Sequence, residues 1–193
     1  MAERIDVPVL VVGAGPVGMS AALLLARQGL RSLVVERQPG LGKAPAAHVV
    51  NARTFEILRA AGMDMEAIAA ACKAPKDAGF VRFVTSLTGE ELGSLPFERQ
   101  GDEVLDLTPT PGRNLSQHRL EPLLLEQLGK EPMVAVRFSH EWEASEQDEG
   151  GVTSRVRDVA GGRVVSVRSR YVIAADGAGS HVRKALGIEA VGP

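Results

Sequence analysis

Glycines 13, 15 and 18, in the run Gly13-Ala14-Gly15-Pro16-Val17-Gly18, have the spacing that lets a backbone turn hold a diphosphate. Each has a separate task. Gly13 permits the tight turn, Gly15 lets backbone approach the pyrophosphate, and Gly18 allows close contact between a helix and a strand. A helix opened by Pro16 would turn its free N–H groups and partial positive charge toward the phosphates. Glu36, roughly 20 residues further on, is the residue type that accepts hydrogen bonds from ribose hydroxyls, and Arg37 follows it. Together these residues describe binding of an adenine dinucleotide. The bland alternative is a glycine turn with a surface glutamate.

The elements around them have the required order. Residues 7–12 are apolar throughout, as in a parallel strand covered on both faces. Residues 19–27 are rich in Ala and Leu and run to Gly29, a helix with its C-terminal stop. Residues 31–35 give a second strand ending at Glu36, so residues 5–37 form a βαβ unit. Further on, Asn51 can cap a helix reaching Gly62, and a short helix is expected over 65–72. Residues 79–86 and 91–97 flank Thr88-Gly89 as a β-hairpin, and 102–112, with two prolines, read as loop. Ser116 can cap a helix that buries Leu120, Leu124 and Leu128 and stops at Gly129, although Pro122 blurs its start. The runs 134–138, 141–145, 152–159 and 163–173 are expected to form an antiparallel meander over about 133–173. The fold class expected is therefore α/β, a Rossmann-like βαβ fold with an antiparallel β-meander, in a single domain spanning 1–193.

Composition sets limits on partners. The chain has 193 residues, 45% hydrophobic and 24% charged, enough apolar content to bury a core. A net charge of -2 gives no pull toward nucleic-acid phosphates or anionic membranes. One cysteine, Cys72, excludes an internal disulfide and suits a reducing compartment, the cytoplasm. The first apolar run is too short and too charged at its start for a signal peptide or membrane span. Histidines 48, 118, 140 and 181 share no spacing that would make a metal site or a catalytic triad, and read as structural or exposed. Trp142 reads as a packing residue. Arginines 155, 157, 163, 168 and 170 recur at alternate strand positions, as on a solvated sheet face.

Later motifs separate FAD from NAD. Asp176-Gly177-Ala178-Gly179-Ser180-His181-Val182-Arg183, at the end of an apolar strand, closely resembles the DG motif of class A flavoprotein monooxygenases, the family of para-hydroxybenzoate and phenol hydroxylases. Residues 9–18 with Glu36-Arg37, the run Asn51-Ala52-Arg53-Thr54-Phe55-Glu56, and Gln117-His118-Arg119-Leu120-Glu121 resemble the same family, in its order. The resemblance implies that Gly13, Gly15, Pro16, Gly18, Glu36, Arg37, Gln117 and Asp176 bind FAD. Gln117 would contact its ribityl or phosphate portion. Asp176 would lie near its pyrophosphate and ribose, and Asp176 with Arg183 near NAD(P)H. Asp176 can equally cap a helix starting near Ser180, and Arg53 can equally pair with Glu56 on the surface. Ala46 departs from the family, which often has Arg or Lys there, although Lys43 lies in the same loop.

The chemistry implied is hydroxylation of a phenolic or polycyclic aromatic by NAD(P)H and O₂ through a C4a-hydroperoxyflavin. No catalytic acid or base is assigned in this chain, and no metal. The family's later Gly-Asp-Ala-Ala-His motif is absent from these residues, so the reading is the N-terminal part, stopping before the substrate domain is complete. The alternative is an inactive truncated remnant that binds FAD weakly or serves as an interaction module. An NAD-dependent dehydrogenase is a third reading, which the motifs around Gln117 and Asp176 disfavour.

Overall fold

Four parallel strands end in one row, and that alignment positions everything described below. The computed structural model describes residues 3–97 and 100–192. In chain order, β1 (Glu3–Val12) leads through the glycine turn into α1 (Pro16–Arg27) and β2 (Ser32–Val35). Next come β3 (Val49–Val50), α2 (Ala52–Ala60), α3 (Met65–Ala71), α4 (Pro75–Ala78), β4 (Phe80–Val84), β5 (Glu91–Pro96) and β6 (Arg113–Asn114). The chain then forms α5 (Gln117–Gly129), β7 (Val134–Arg137), β8 (His140–Asp148), β9 (Gly151–Asp158), β10 (Val164–Ala174) and α6 (His181–Ala185).

Two compact units result. The first comprises the chain up to Lys43 and from Leu124 onward, and the second is Ala44–Leu123. In the first, a six-stranded sheet has the order β7-β2-β1-β10-β9-β8. β7, β2, β1 and β10 are parallel, and β10, β9 and β8 are antiparallel neighbours. The all-apolar runs Val9–Val12 and Leu33–Val35 are buried on both faces, as central parallel strands require. Leu10, Val12, Leu33 and Val35 join Trp142, Val156, Val165, Val167 and Val182 in one core cluster. Val11 points to the other face, where α1 packs closely at Gly18.

One expectation is corrected here. The run beginning at Val134 does not belong to the meander: β7 pairs parallel with β2, in the register Val35↔Arg137, at the opposite edge from β8. A short, mostly apolar run suits an edge strand of either orientation, and the partner of β7 lies about a hundred residues earlier in the chain, beyond any local signal.

In the second unit, Asn51 caps α2, its side-chain oxygen accepting from Thr54 N at 2.8 Å, and Asp64 does the same for α3. β4 and β5 form the hairpin expected around Thr88-Gly89, β3 and β6 form a two-residue antiparallel pair, and Asp102–Val104 is a single 3₁₀ turn. α5, whose residues from Leu124 onward belong to the first unit, carries Pro122 inside it, and Leu120, Leu124 and Leu128 are all buried, as their four-residue spacing requires. Among the described residues no helix is long and apolar enough to cross a membrane.

Candidate functional site

Val12, Val35, Arg137 and Ala174 are register partners across β1, β2, β7 and β10. The four segments that leave these strands therefore emerge side by side along the carboxyl edge of the sheet, where open α/β sheets bind ligands. Backbone hydrogen bonds continue the ladder past the strand ends. Gly13 N donates to Val35 O and Ala175 N to Val12 O, both at 2.8 Å, and Glu36 N donates to Arg137 O at 2.9 Å. The turn between β7 and β8 is tied to the exit of β2 in the same way: Ser139 N donates to Gln38 O at 2.9 Å and His140 N to Glu36 O at 2.8 Å.

A crevice of about 240 Å³ opens along this edge, lined by Gly13, Gly15, Glu36, Arg37 and Asp176 of the expected residues. Its remaining walls include Gln38, His140, Glu141, Trp142 and His181. Gly13 has φ +104°, which L side chains rarely adopt, and an added Cβ would lie 2.4 Å from Ala175 O. Gly15 has extended backbone, φ -74° and ψ -179°, and an added Cβ would meet nothing within 4 Å. Space is therefore reserved above Gly15. Pro16 begins α1, whose first turn has no side-chain cap, leaving its N–H groups to a ligand or solvent. Gly18 sits so close to the turn that a Cβ would be 2.0 Å from Gly13 O.

Glu36 is held rather than free. Its Oε2 accepts from Ala14 N at 3.0 Å and its Oε1 from Gln38 N at 2.9 Å, so the carboxylate spans the glycine turn and the end of β2. Each oxygen retains further acceptor capacity, which ribose hydroxyls can use. Arg37 is exposed at the rim. These features fit an adenine dinucleotide: an uncapped helix start, a glycine with open space, and an oriented acceptor.

Asp176 caps α6. Its Oδ1 accepts from Ser180 Oγ at 2.6 Å, and its Oδ2 from His181 N at 2.7 Å and Val182 N at 3.2 Å. Burial works to raise its carboxyl, but the Ser180 hydroxyl and the two N–H groups outweigh that and hold it below the ordinary carboxylate value. A depressed folded value contributes stability that is present above the unfolded value, about 3.9, and is lost as pH falls through the folded one. Asp176→Asn is accordingly expected to unfold at lower urea than the parent at pH 7. As pH falls through the lowered folded value that gap should close, and a gap unchanged by acid would remove the charged cap from the account.

The other expected residues lie elsewhere. Gln117 opens α5 in the second unit, donating its N–H to Ala47 O and its Nε2 to Glu121 Oε1, at 2.8 and 2.7 Å. Arg53 pairs with Glu56 at 3.2 Å on the exposed face of α2. Arg183 donates to Ile188 O at 2.7 Å, closing the end of α6. Arg155 and Arg157 pair with Glu143 and Arg168 with Asp148, a ladder across the meander strands. The crevice residues that sequence reasoning missed are Gln38, His140, Glu141 and His181. Trp142 packs in the core, as its surroundings demand, yet also borders the crevice. Their common signal is position three or four residues after the end of a parallel strand or at a helix start, which is recognisable only once strand order is known.

Comparison with known proteins identifies the family. A family described as FAD binding domain matches residues 6–193. The 2,4-dichlorophenol 6-monooxygenase of Cupriavidus pinatubonensis is 41% identical over 187 residues, 94% of this chain and 31% of that protein. The solved flavin-dependent monooxygenase PieE, in complex with FAD and substrate, superposes with a TM-score of 0.91 at 40% identity, covering 100% of this chain and 34% of its own. Aklavinone-11 hydroxylase, in a ternary complex with FAD and aklavinone, superposes at 0.83 with 38% identity, covering 94% of this chain and 35% of its own. The chain thus spans about a third of the length of these relatives.

Proposed function

This chain belongs to the FAD binding domain family, and from that membership we propose that it is the N-terminal, FAD-holding part of a monooxygenase hydroxylating a phenolic or polycyclic aromatic substrate with NAD(P)H and O₂. The observation that carries this reading is the convergence of the glycine turn, Glu36 and Asp176 on one crevice at the carboxyl edge of the sheet. FAD, when bound, supplies the redox and oxygen chemistry. The residues of this chain bind and orient it. Gly15 and the uncapped start of α1 take the diphosphate, and Glu36, already aimed by two backbone N–H groups, takes the ribose hydroxyls. Asp176 fixes the start of α6 against the glycine turn. Gln117 is assigned to the ribityl or phosphate portion on the strength of the motif around it.

The single match over residues 6–193 supports treating both compact units as parts of one FAD-binding domain. Cys72 as the sole cysteine supports a reducing compartment, and we assign the protein to the cytoplasm. The named relatives are a 2,4-dichlorophenol monooxygenase and an aklavinone hydroxylase, which supports an aromatic ring as substrate.

Purified protein titrated with FAD tests the binding part. The expected result is saturable uptake of one FAD per chain with a perturbed flavin absorbance spectrum, and NAD(P)H oxidation stimulated by phenols supports the monooxygenase part. A colourless protein that ignores added FAD would overturn the assignment, and tight NAD binding without FAD would favour a dehydrogenase.

A further inference from the structure

We infer that His140 reads the nucleobase in this crevice, its Nε2 accepting a hydrogen bond from the exocyclic amino group of adenine; this rests on the FAD-holding reading above.

The order of strands sets the order of ligand parts. Along the carboxyl edge the sequence is β10, β1, β2, β7. The diphosphate belongs over the turn leaving β1, and the ribose over Glu36 at the end of β2. A sugar lies between its phosphate and its base, so the base must continue in the same direction, over the next segment on the edge. That segment is the turn from β7 into β8, where His140 lines the crevice beside Gln38.

His140 is prepared for this role by its surroundings. Its Nδ1 lies 2.8 Å from Phe138 O. A carbonyl oxygen can only accept, so in the neutral ring Nδ1 carries the hydrogen and Nε2 is left with a lone pair. The ring's backbone is equally fixed. Its N–H donates to Glu36 O, the preceding Ser139 N donates to Gln38 O, and Ser139 takes φ 55° to make the turn. Acceptor and ribose-binding acid are therefore held on one hydrogen-bonded frame. An acceptor at that point favours a 6-aminopurine, whose N6 donates. It disfavours a 6-oxopurine, which presents a second acceptor to the lone pair.

FAD and its hypoxanthine analogue, in which a 6-oxo group replaces the amine, are the probes, with dissociation constants read from flavin fluorescence. The parent protein is expected to hold FAD about tenfold more tightly than the 6-oxo analogue. His140→Asn keeps a donor for Phe138 O and loses the distal acceptor, so FAD should weaken roughly five- to tenfold and the preference should fall to about unity. His140→Gln, whose amide oxygen reaches the Nε2 position, should restore most of it. Equal affinities in the parent, or an undiminished preference in the asparagine variant with its circular dichroism unchanged, would overturn the inference while leaving FAD binding in place. Failure of the parent to bind either dinucleotide would instead bring down the FAD-holding reading, and this inference with it.

Discussion

Gly15→Val is expected to abolish flavin retention while leaving the fold in place. The two halves of that expectation come from different observations. Gly15 sits at φ -74° and ψ -179°, extended backbone that valine adopts without strain, and nothing lies within 4 Å of an added Cβ. As the residue before α1 it gives no side-chain cap, so replacing it removes none, and the cost to folding should stay below about 1 kcal/mol. The empty space, however, borders the crevice, directly above the helix start where the diphosphate is proposed to lie. An isopropyl group there occupies the position of a phosphate oxygen and shields the N–H groups that would bind it. FAD affinity should fall by roughly 100-fold or more, about 2.7 kcal/mol. Far-ultraviolet circular dichroism and the urea midpoint should match the parent, while the flavin titration loses its saturable phase. Unchanged FAD affinity would mean that the diphosphate does not lie against this turn.

How much of this was legible beforehand depends on how far apart in the chain the cooperating residues lie. The first βαβ unit is local: an apolar run, three glycines, an Ala/Leu helix and an acid at the next strand end are all set within residues 5–37, and the structure forms β1, α1 and β2 there. Asn51 before α2 and Thr88-Gly89 between β4 and β5 are likewise short-range signals with a mechanism. β7 reads as part of the meander because it is one of several strand-like runs in succession separated by polar turns, yet its partner Ser32–Val35 is remote in sequence. The two-residue pairing of β3 with β6 and the single turn of α4 are too short to show any period. The crevice divides in the same way. Gly13, Gly15 and Glu36 announced themselves by residue type and spacing, and Asp176 by its resemblance to the DG motif. His140 did not, because its position beside Glu36 follows from β7 lying next to β2, a pairing that the pattern of residues could not reveal.

Gly18→Ala should destabilise the first unit, and it sets two opposed effects against each other. Gly18 lies within α1, where replacing glycine by alanine ordinarily stabilises a helix by about 1 kcal/mol. Here the added methyl carbon would stand 2.0 Å from Gly13 O and 3.3 Å from Val11 Cγ1. The first of these is far inside any contact distance, and its partner is backbone. Gly13 cannot yield easily: its N–H is bonded to Val35 O at 2.8 Å, and its Cα faces the Ala175 carbonyl so closely that even a methyl would not fit. Relief therefore requires α1 to lift from β1, opening the packing around the buried side chains Met19, Ala22 and Leu23. Overpacking of that kind costs about 1–3 kcal/mol, and a backbone atom at 2.0 Å puts this site at the upper end; less the propensity gain of about 1 kcal/mol, a net loss of roughly 2 kcal/mol is expected. Urea unfolding should show a lower midpoint with an unchanged slope. FAD uptake should weaken as well, since a lifted helix carries its N–H groups away from the diphosphate, in contrast to Gly15→Val, where binding is lost from an intact fold. A variant as stable as the parent would show that α1 does not approach β1 through Gly18, and the close helix–strand contact assigned to the third glycine would be gone.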